Sequence, residues 1–258
     1  ALALQIRRAG FQPHHMRLLQ LQFGGVLAGN DALVVLDALP LDNGQAAATR
    51  GYLETFGDGG GLDFFELDEQ AAITTAAAGT ITTTGQASAA GLGGVGGEVF
   101  IHHTNLTTTA GDITLGGTVT ANGGSAAVGG TTGGSGGVVT LLNERGGIVV
   151  NAALSANGGA AGSGVQGNGG TVQLVSTGTA VASTITQGAA ITATGATGGN
   201  LKVTASDDVT LQNTGNDVAK LAANITTAGK SFKYTDANTL AIDQVAQASS
   251  SAVVLGVP

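Results

Sequence analysis

Apolar and polar residues alternate along this chain in short runs, and the runs recur. A glycine followed two and four positions later by apolar residues appears as Gly97-Val99-Ile101, Gly137-Val139-Leu141, Gly170-Val172-Leu174 and Gly199-Leu201-Val203. Lys230-Phe232-Tyr234 reads as a fifth copy that has lost its glycine. Successive copies lie 40, 33, 29 and 31 residues apart. A second alternating run follows each copy, at Ile113-Leu115, Ile148-Val150, around Val181, at Val209-Leu211 and at Leu240-Ile242. A third reads at Val119-Ala121, Leu154-Ala156, Ile191-Ala193 and Ile225.

Alternation with period 2 predicts strands that are dry on one face and wet on the other. Runs this short have no stability alone. Stacked repeat on repeat, their apolar positions form one continuous core and their backbones pair between repeats. No window sustains helical i, i+3, i+4 patterning, and the abundant Gly and Thr are poor helix formers. The predicted fold is all-β: a parallel β-helix (β-solenoid) with three short strands per coil and Gly-rich corner loops.

Two of those loops, residues 122–136 and 157–169, follow the same opening, "ANGG" at 121–124 and 156–159. Glycine there is expected to supply positive φ and tight corners. Asn122, Asn157 and Asn213, at strand ends, are expected to adopt left-handed geometry or stack into amide ladders. Upstream, Phe65-Leu67, Ile73 and Ile81 are spaced like one more coil with residues 85–97 as its corner loop, and Leu33-Val35 begins a further one. Residues 1–23 differ in composition, holding three of the nine basic residues and two of the four histidines. They read as a cap or extended arm over the first coil's edge. The division is therefore 1–23 as cap or arm and 24–258 as solenoid, with the clearest repeats in 60–245.

Composition narrows the functional classes. Gly supplies 45 of 258 residues, more than twice the usual share of about 7%. Only three prolines and many Val, Ile and Leu argue against a disordered polymer, and the glycines keep no collagen period. Seventeen acidic residues against nine basic give a net charge of −8, the wrong sign for a nucleic-acid partner. The only local basic cluster is Arg7-Arg8 with Arg17. With no cysteine, disulfides, thiolate metal sites and Cys nucleophiles all drop out. No transmembrane segment is read, because the longest apolar stretch, 24–41, is broken by Asn30, Asp31 and Asp37. Residues 1–10 lack the order of a secretory signal.

Each candidate chemical motif has a plainer reading. Asp207-Asp208 are adjacent, so in a strand they point to opposite faces and in a turn they form a solvated corner, neither of which suits paired-carboxylate catalysis. "DGGGLDFFE" at 58–66 approaches the calcium nonapeptide, but that motif works in tandem and only one copy exists. Asp58, Asp63, Glu66, Asp68 and Glu69 therefore read as an acidic turn. His102-His103 lie in a strand without further ligands and read as structural, and His14-His15 stay uncommitted. "TITTT" at 80–84 and "NLTTT" at 105–109 do not recur at the repeat spacing an ice-binding face needs. No catalytic, cofactor-binding or metal-ligating residue is assigned.

Residues 97–124 ("GEVFIHHTNLTTTAGDITLGGTVTANGG"), 146–162 and 199–245 resemble the β-helical stalks of filamentous-haemagglutinin-like exoproteins and related large bacterial surface adhesins. The resemblance implies a right-handed parallel β-helix exported by a diderm bacterium and displayed outside the cell; the leading reading is a secreted, non-enzymatic adhesin or stalk of a bacterial cell surface that contacts a host or neighbouring cell surface or matrix. Two alternatives remain open: a filament subunit joined end to end by β-strand pairing, and a polysaccharide-degrading β-helix enzyme. The second is disfavoured by few carboxylates on any face and few aromatics to stack on sugar rings.

Overall fold

The computed structural model describes residues 73–246 apart from 76, 78, 90, 104–110, 128–130 and 179–181, and the strand backbones at 32–37, 50–55 and 64–69. The described residues contain no helix, and their strands follow one another in groups. β1 (Ala32–Asp37) and β2 (Arg50–Thr55) come first, then β3 (Phe64–Glu69), β4 (Ile73–Thr75) and β5 (Thr80–Thr82). β6 (Glu98–His103), β7 (Ile113–Leu115) and β8 (Thr118–Thr120) repeat that order, as do β9 (Val138–Asn143), β10 (Ile148–Val150) and β11 (Leu154–Ser155). β12 (Thr171–Ser176), β13 (Ile185–Gln187) and β14 (Ile191–Thr192) repeat it once more. β15 (Asn200–Ala205) with β16 (Val209–Leu211), β17 (Lys220–Ile225) with β18 (Phe232–Tyr234), and β19 (Ala241–Ile242) complete the chain of strands.

These strands form three sheets. The first has the order β1-β2-β3-β6-β9-β12-β15-β17-β19, the second β18-β16-β13-β10-β7-β4, and the third β14-β11-β8-β5. From β3 onward every pairing is parallel, which is consistent with a β-solenoid. The register keeps like beside like. Val99, Val139, Val172 and Leu201 are successive partners in the first sheet, and Ile113, Ile148 and Ile185 in the second. Val119, Leu154 and Ile191 follow suit in the third. All ten side chains are fully buried in one core, and burying each contributes on the order of 1.5–3 kcal/mol.

Several expectations are revised. The pairing near Leu33-Val35 is not parallel: β1 pairs antiparallel with β2, and β2 antiparallel with β3. The second run after Gly170 is Ile185–Gln187, because eight residues rather than a short corner separate it from Ser176. Phe232–Tyr234 is not a first run. It pairs with Val209–Leu211 in the second sheet, while Lys220–Ile225, which contains the supposed third run at Ile225, takes the first-sheet place beside Asn200–Ala205. The spacing there contracts from 29 residues (Thr171 to Asn200) to 20 (Asn200 to Lys220). The third sheet is reduced at that level to a single bridge, Thr192 with Asp217.

The outward face of the first sheet is also not wet throughout. Phe100, Thr140 and Gln173, on its outward side in β6, β9 and β12, are fully buried, and Gln173 Nε2 donates to Thr140 Oγ1 at 2.9 Å. Burial on both faces explains why "VVTLLN" and "TVQLVS" carry extra apolar residues where strict alternation would place polar ones.

Candidate functional site

Three sets of residues depart from the apolar stacking. The first lies where the chain leaves the first sheet. His103, Asn143 and Ser176 are register partners at the inner end of β6, β9 and β12. There they serve the buried turn backbone, which an apolar side chain could not satisfy. Asn143 Nδ2 donates to Gly111 O at 2.9 Å and Gly147 O at 2.7 Å, while its Oδ1 accepts from Arg145 N at 2.9 Å. With both amide hydrogens committed, Asn143 Oδ1 can only accept from His103 Nδ1 at 2.9 Å, so that nitrogen is the donor. Ser176 Oγ lies 2.8 Å from Gly146 O and 2.9 Å from Ser183 O. On the other side of the strand, buried His102 Nε2 lies 3.3 Å from Glu144 Oε1. The two histidines thus lie on opposite sides of the strand, each beside a polar partner from the next repeat. Asn216 plays the matching part further on, fully buried, its amide donating to Leu211 O and Thr235 O and exchanging bonds with the Gln187 amide.

The second set is Asp207, Asp208 and Lys230. The two carboxylates sit in the turn between β15 and β16. Lys230 Nζ reaches Asp207 Oδ1 at 2.7 Å, and Ser231 donates to Asp208 Oδ1 through its N–H at 2.7 Å and its hydroxyl at 2.9 Å. The Lys230 bond holds Asp207 below the ordinary carboxylate range, and the Ser231 backbone bond does the same for Asp208. The pair ties one repeat to the next, with each carboxylate committed to a different partner. Nearby, burial and then the bond to Asp236 Oδ2 at 2.7 Å push the Tyr234 phenol well above its usual range.

The third set is the corner loops, and sequence reasoning misjudged why they are glycine-rich. Among the described residues only Gly198 and Gly229 have positive φ. The loops instead stack through their backbones. Gly94 N donates to Gln86 O at 2.8 Å, Gly124 N to Gly94 O at 2.7 Å and Gly134 N to Gly124 O at 2.9 Å. Gly159 N then donates to Gly134 O at 2.7 Å, Gly167 N to Gly159 O at 2.9 Å and Ala196 N to Gly167 O at 3.0 Å. One zigzag of bonds thus runs through the outgoing and returning legs of the loops across four repeats. A Cβ at Gly124 would overlap Gln86 O, and one at Gly134 would overlap Gly94 O. Glycine is required by close approach, as at the crowded axis of collagen.

Beside this column the strand-end asparagines do form a ladder, though between side chain and backbone. Asn122 Oδ1 accepts from Asn157 N at 2.7 Å, and Asn157 Oδ1 from Thr194 N at 2.8 Å. Asn213 instead closes its own turn, its Oδ1 accepting from Gly215 N at 2.9 Å. The column carries Leu92, Val95 and Val165, three of the largest exposed apolar side chains among the described residues. Elsewhere an open groove of about 730 Å³ runs between β15, β17 and the segment after β19, lined by Lys202, Thr204, Asn224 and Gln244 among others.

The acidic side chains of 58–69, His14-His15, Arg7, Arg8, Arg17 and the 1–23 boundary lie outside the described residues. Among the described residues no group of three or more His, Asp or Glu could hold a metal ion, and no helix is long and apolar enough to cross a membrane. No protein-family model, no curated protein and no solved structure matches the chain.

Proposed function

We propose that this chain is a right-handed parallel β-helix with three strands per coil, serving as a secreted, non-enzymatic structural and adhesive surface of a bacterial cell. Handedness is favoured by general chain sterics, since parallel crossovers within one sheet are right-handed in about 98% of cases. The observation that carries the functional reading is the bonded glycine column. It holds long loops rigidly along one side of the core and lifts Leu92, Val95 and Val165 into solvent. A rigid face of small residues with spaced apolar side chains is suited to contacting other surfaces, and it agrees with the resemblance to exoprotein stalks. The test is adhesion of protein-coated beads to bacterial and host cells. The triple substitution Leu92→Ser, Val95→Ser and Val165→Ser should reduce capture while leaving the thermal transition in place. Undiminished capture would remove the column from the reading.

A filament subunit is the second reading, favoured by the edge at β19. Among the described residues that strand pairs with β17 alone, and Ile242 is 74% exposed. Such an edge is a template for another strand. Electron microscopy decides between the two: long uniform filaments that Ile242→Lys abolishes support end-to-end assembly, and isolated rods count against it.

A further inference from the structure

We propose that Asn168 is a self-modifying site, converting to aspartate and isoaspartate in the folded protein, whereas the chemically equivalent Asn122 and Asn157 are locked against the same reaction. All three are followed by glycine, as is Asn43, which lies outside the described residues. The reaction joins the backbone nitrogen of that glycine to the asparagine Cγ. The Cγ–amide nitrogen bond breaks, ammonia leaves with the glycine's proton, and water opens the cyclic imide at either carbonyl. It needs no enzyme, and glycine favours it because no Cβ obstructs the approach. It does need a backbone nitrogen free to attack and a side-chain amide free to swing.

At Asn122 both requirements fail. Gly123 N is committed to Asn157 O at 2.8 Å, and Asn122 Oδ1 is held by Asn157 N at 2.7 Å. At Asn157 the same two bonds recur one repeat on, Gly158 N to Thr194 O at 2.7 Å and Thr194 N to Asn157 Oδ1 at 2.8 Å. At the third site the ladder is absent. Asn168 is exposed, and among the described residues neither its side chain nor Gly169 N makes a hydrogen bond, although Asn168 O accepts from Gly136 N at 2.8 Å. Conversion to isoaspartate would insert a methylene into the main chain beside that bond and add a negative charge to the glycine column.

The test is incubation of the full-length chain at mildly alkaline pH, with peptide mapping by mass spectrometry and an isoaspartyl-specific methylation assay. The same incubation in urea reads the intrinsic reactivity of each sequence. In the folded protein Asn122 and Asn157 should convert at least about tenfold more slowly than Asn168, because each must first open two bonds. In urea the three rates should converge. The Asn168→Gln variant should lose the isoaspartyl signal mapped to its own peptide, which the mapping separates from that of Asn43-Gly44. Folded-state conversion at Asn122 or Asn157 as fast as at Asn168, or none at Asn168, would overturn the proposal.

Discussion

His103 Nδ1 donates to Asn143 Oδ1 at 2.9 Å across neighbouring strands, both side chains fully buried. Asn143 spends its four bonding positions on three backbone groups and that imidazole. Replacing it by alanine strands Gly111 O and the histidine proton in the interior. Asn143→Ala should therefore cost about 2–4 kcal/mol, read by urea denaturation. Asn213→Ala, at an exposed turn, should cost less than about 1 kcal/mol. Equal costs would show that the buried bonds are not what holds this corner.

The glycine column makes an unusual demand on a residue type normally replaceable by alanine. Gly134→Ala drives a methyl into Gly94 O, whereas Gly91→Ala meets only the Ser88 hydroxyl. The first should destabilise by about 3 kcal/mol and the second by about 0.5 kcal/mol or less. Thermal denaturation and limited proteolysis of residues 85–97 check both; an unaffected Gly134→Ala protein would mean that the loops do not stack.

Asp207 and Asp208 give the stability a predictable acid limb. Both are held below the ordinary carboxylate value of 3.8. Their contribution is therefore present above that value and lost as pH falls through their lower folded values. The bonds lie at a partly exposed turn, so the effect is modest and screened by salt. Lys230→Met removes the main cause at Asp207. Its melting temperature should fall less than that of the unmodified protein between about pH 6 and pH 3, and an identical fall would dissociate the ion pair from acid sensitivity.

Leu174 sits in mid-core, with Leu141 and Val203 as register partners on either side. Leu174→Ala leaves a void that stacked strands cannot close without breaking register. It should cost about 2–5 kcal/mol in chemical denaturation. Ile242→Ala, at the exposed edge, should be near neutral, and similar values for the two would contradict the single continuous core.

The first-sheet strands from Val99 to Val203 were legible because each buries two large side chains two positions apart behind a glycine. That signal fails at Lys220–Ile225, where an exposed Ala223 takes the register position of Val203 and no glycine immediately precedes the strand. Phe232 and Tyr234 then mimic the missing run from the neighbouring sheet. The polar corners were illegible for a different reason. Asn143 and Ser176 look like surface residues in the sequence, and only three-dimensional closure of the turns puts backbone carbonyls around them. Glycine content advertised the loops, but conformational freedom and close approach leave the same mark in one dimension, and here the second operates.

The zigzag from Gln86 to Ala196 also means that loop length is not a private matter of each repeat. Every loop supplies acceptors for the donors of its neighbour, so a single loop lengthened on its own would present amides with nothing opposite them. Insertions at this corner are tolerated only as matched sets in consecutive repeats, or at the end of the series. The abrupt shortening after β14, where seven residues (193–199) lead to β15 in place of the fifteen (156–170) between β11 and β12, is such an end: the chain leaves the column in one step, and the last donor, Ala196, closes it.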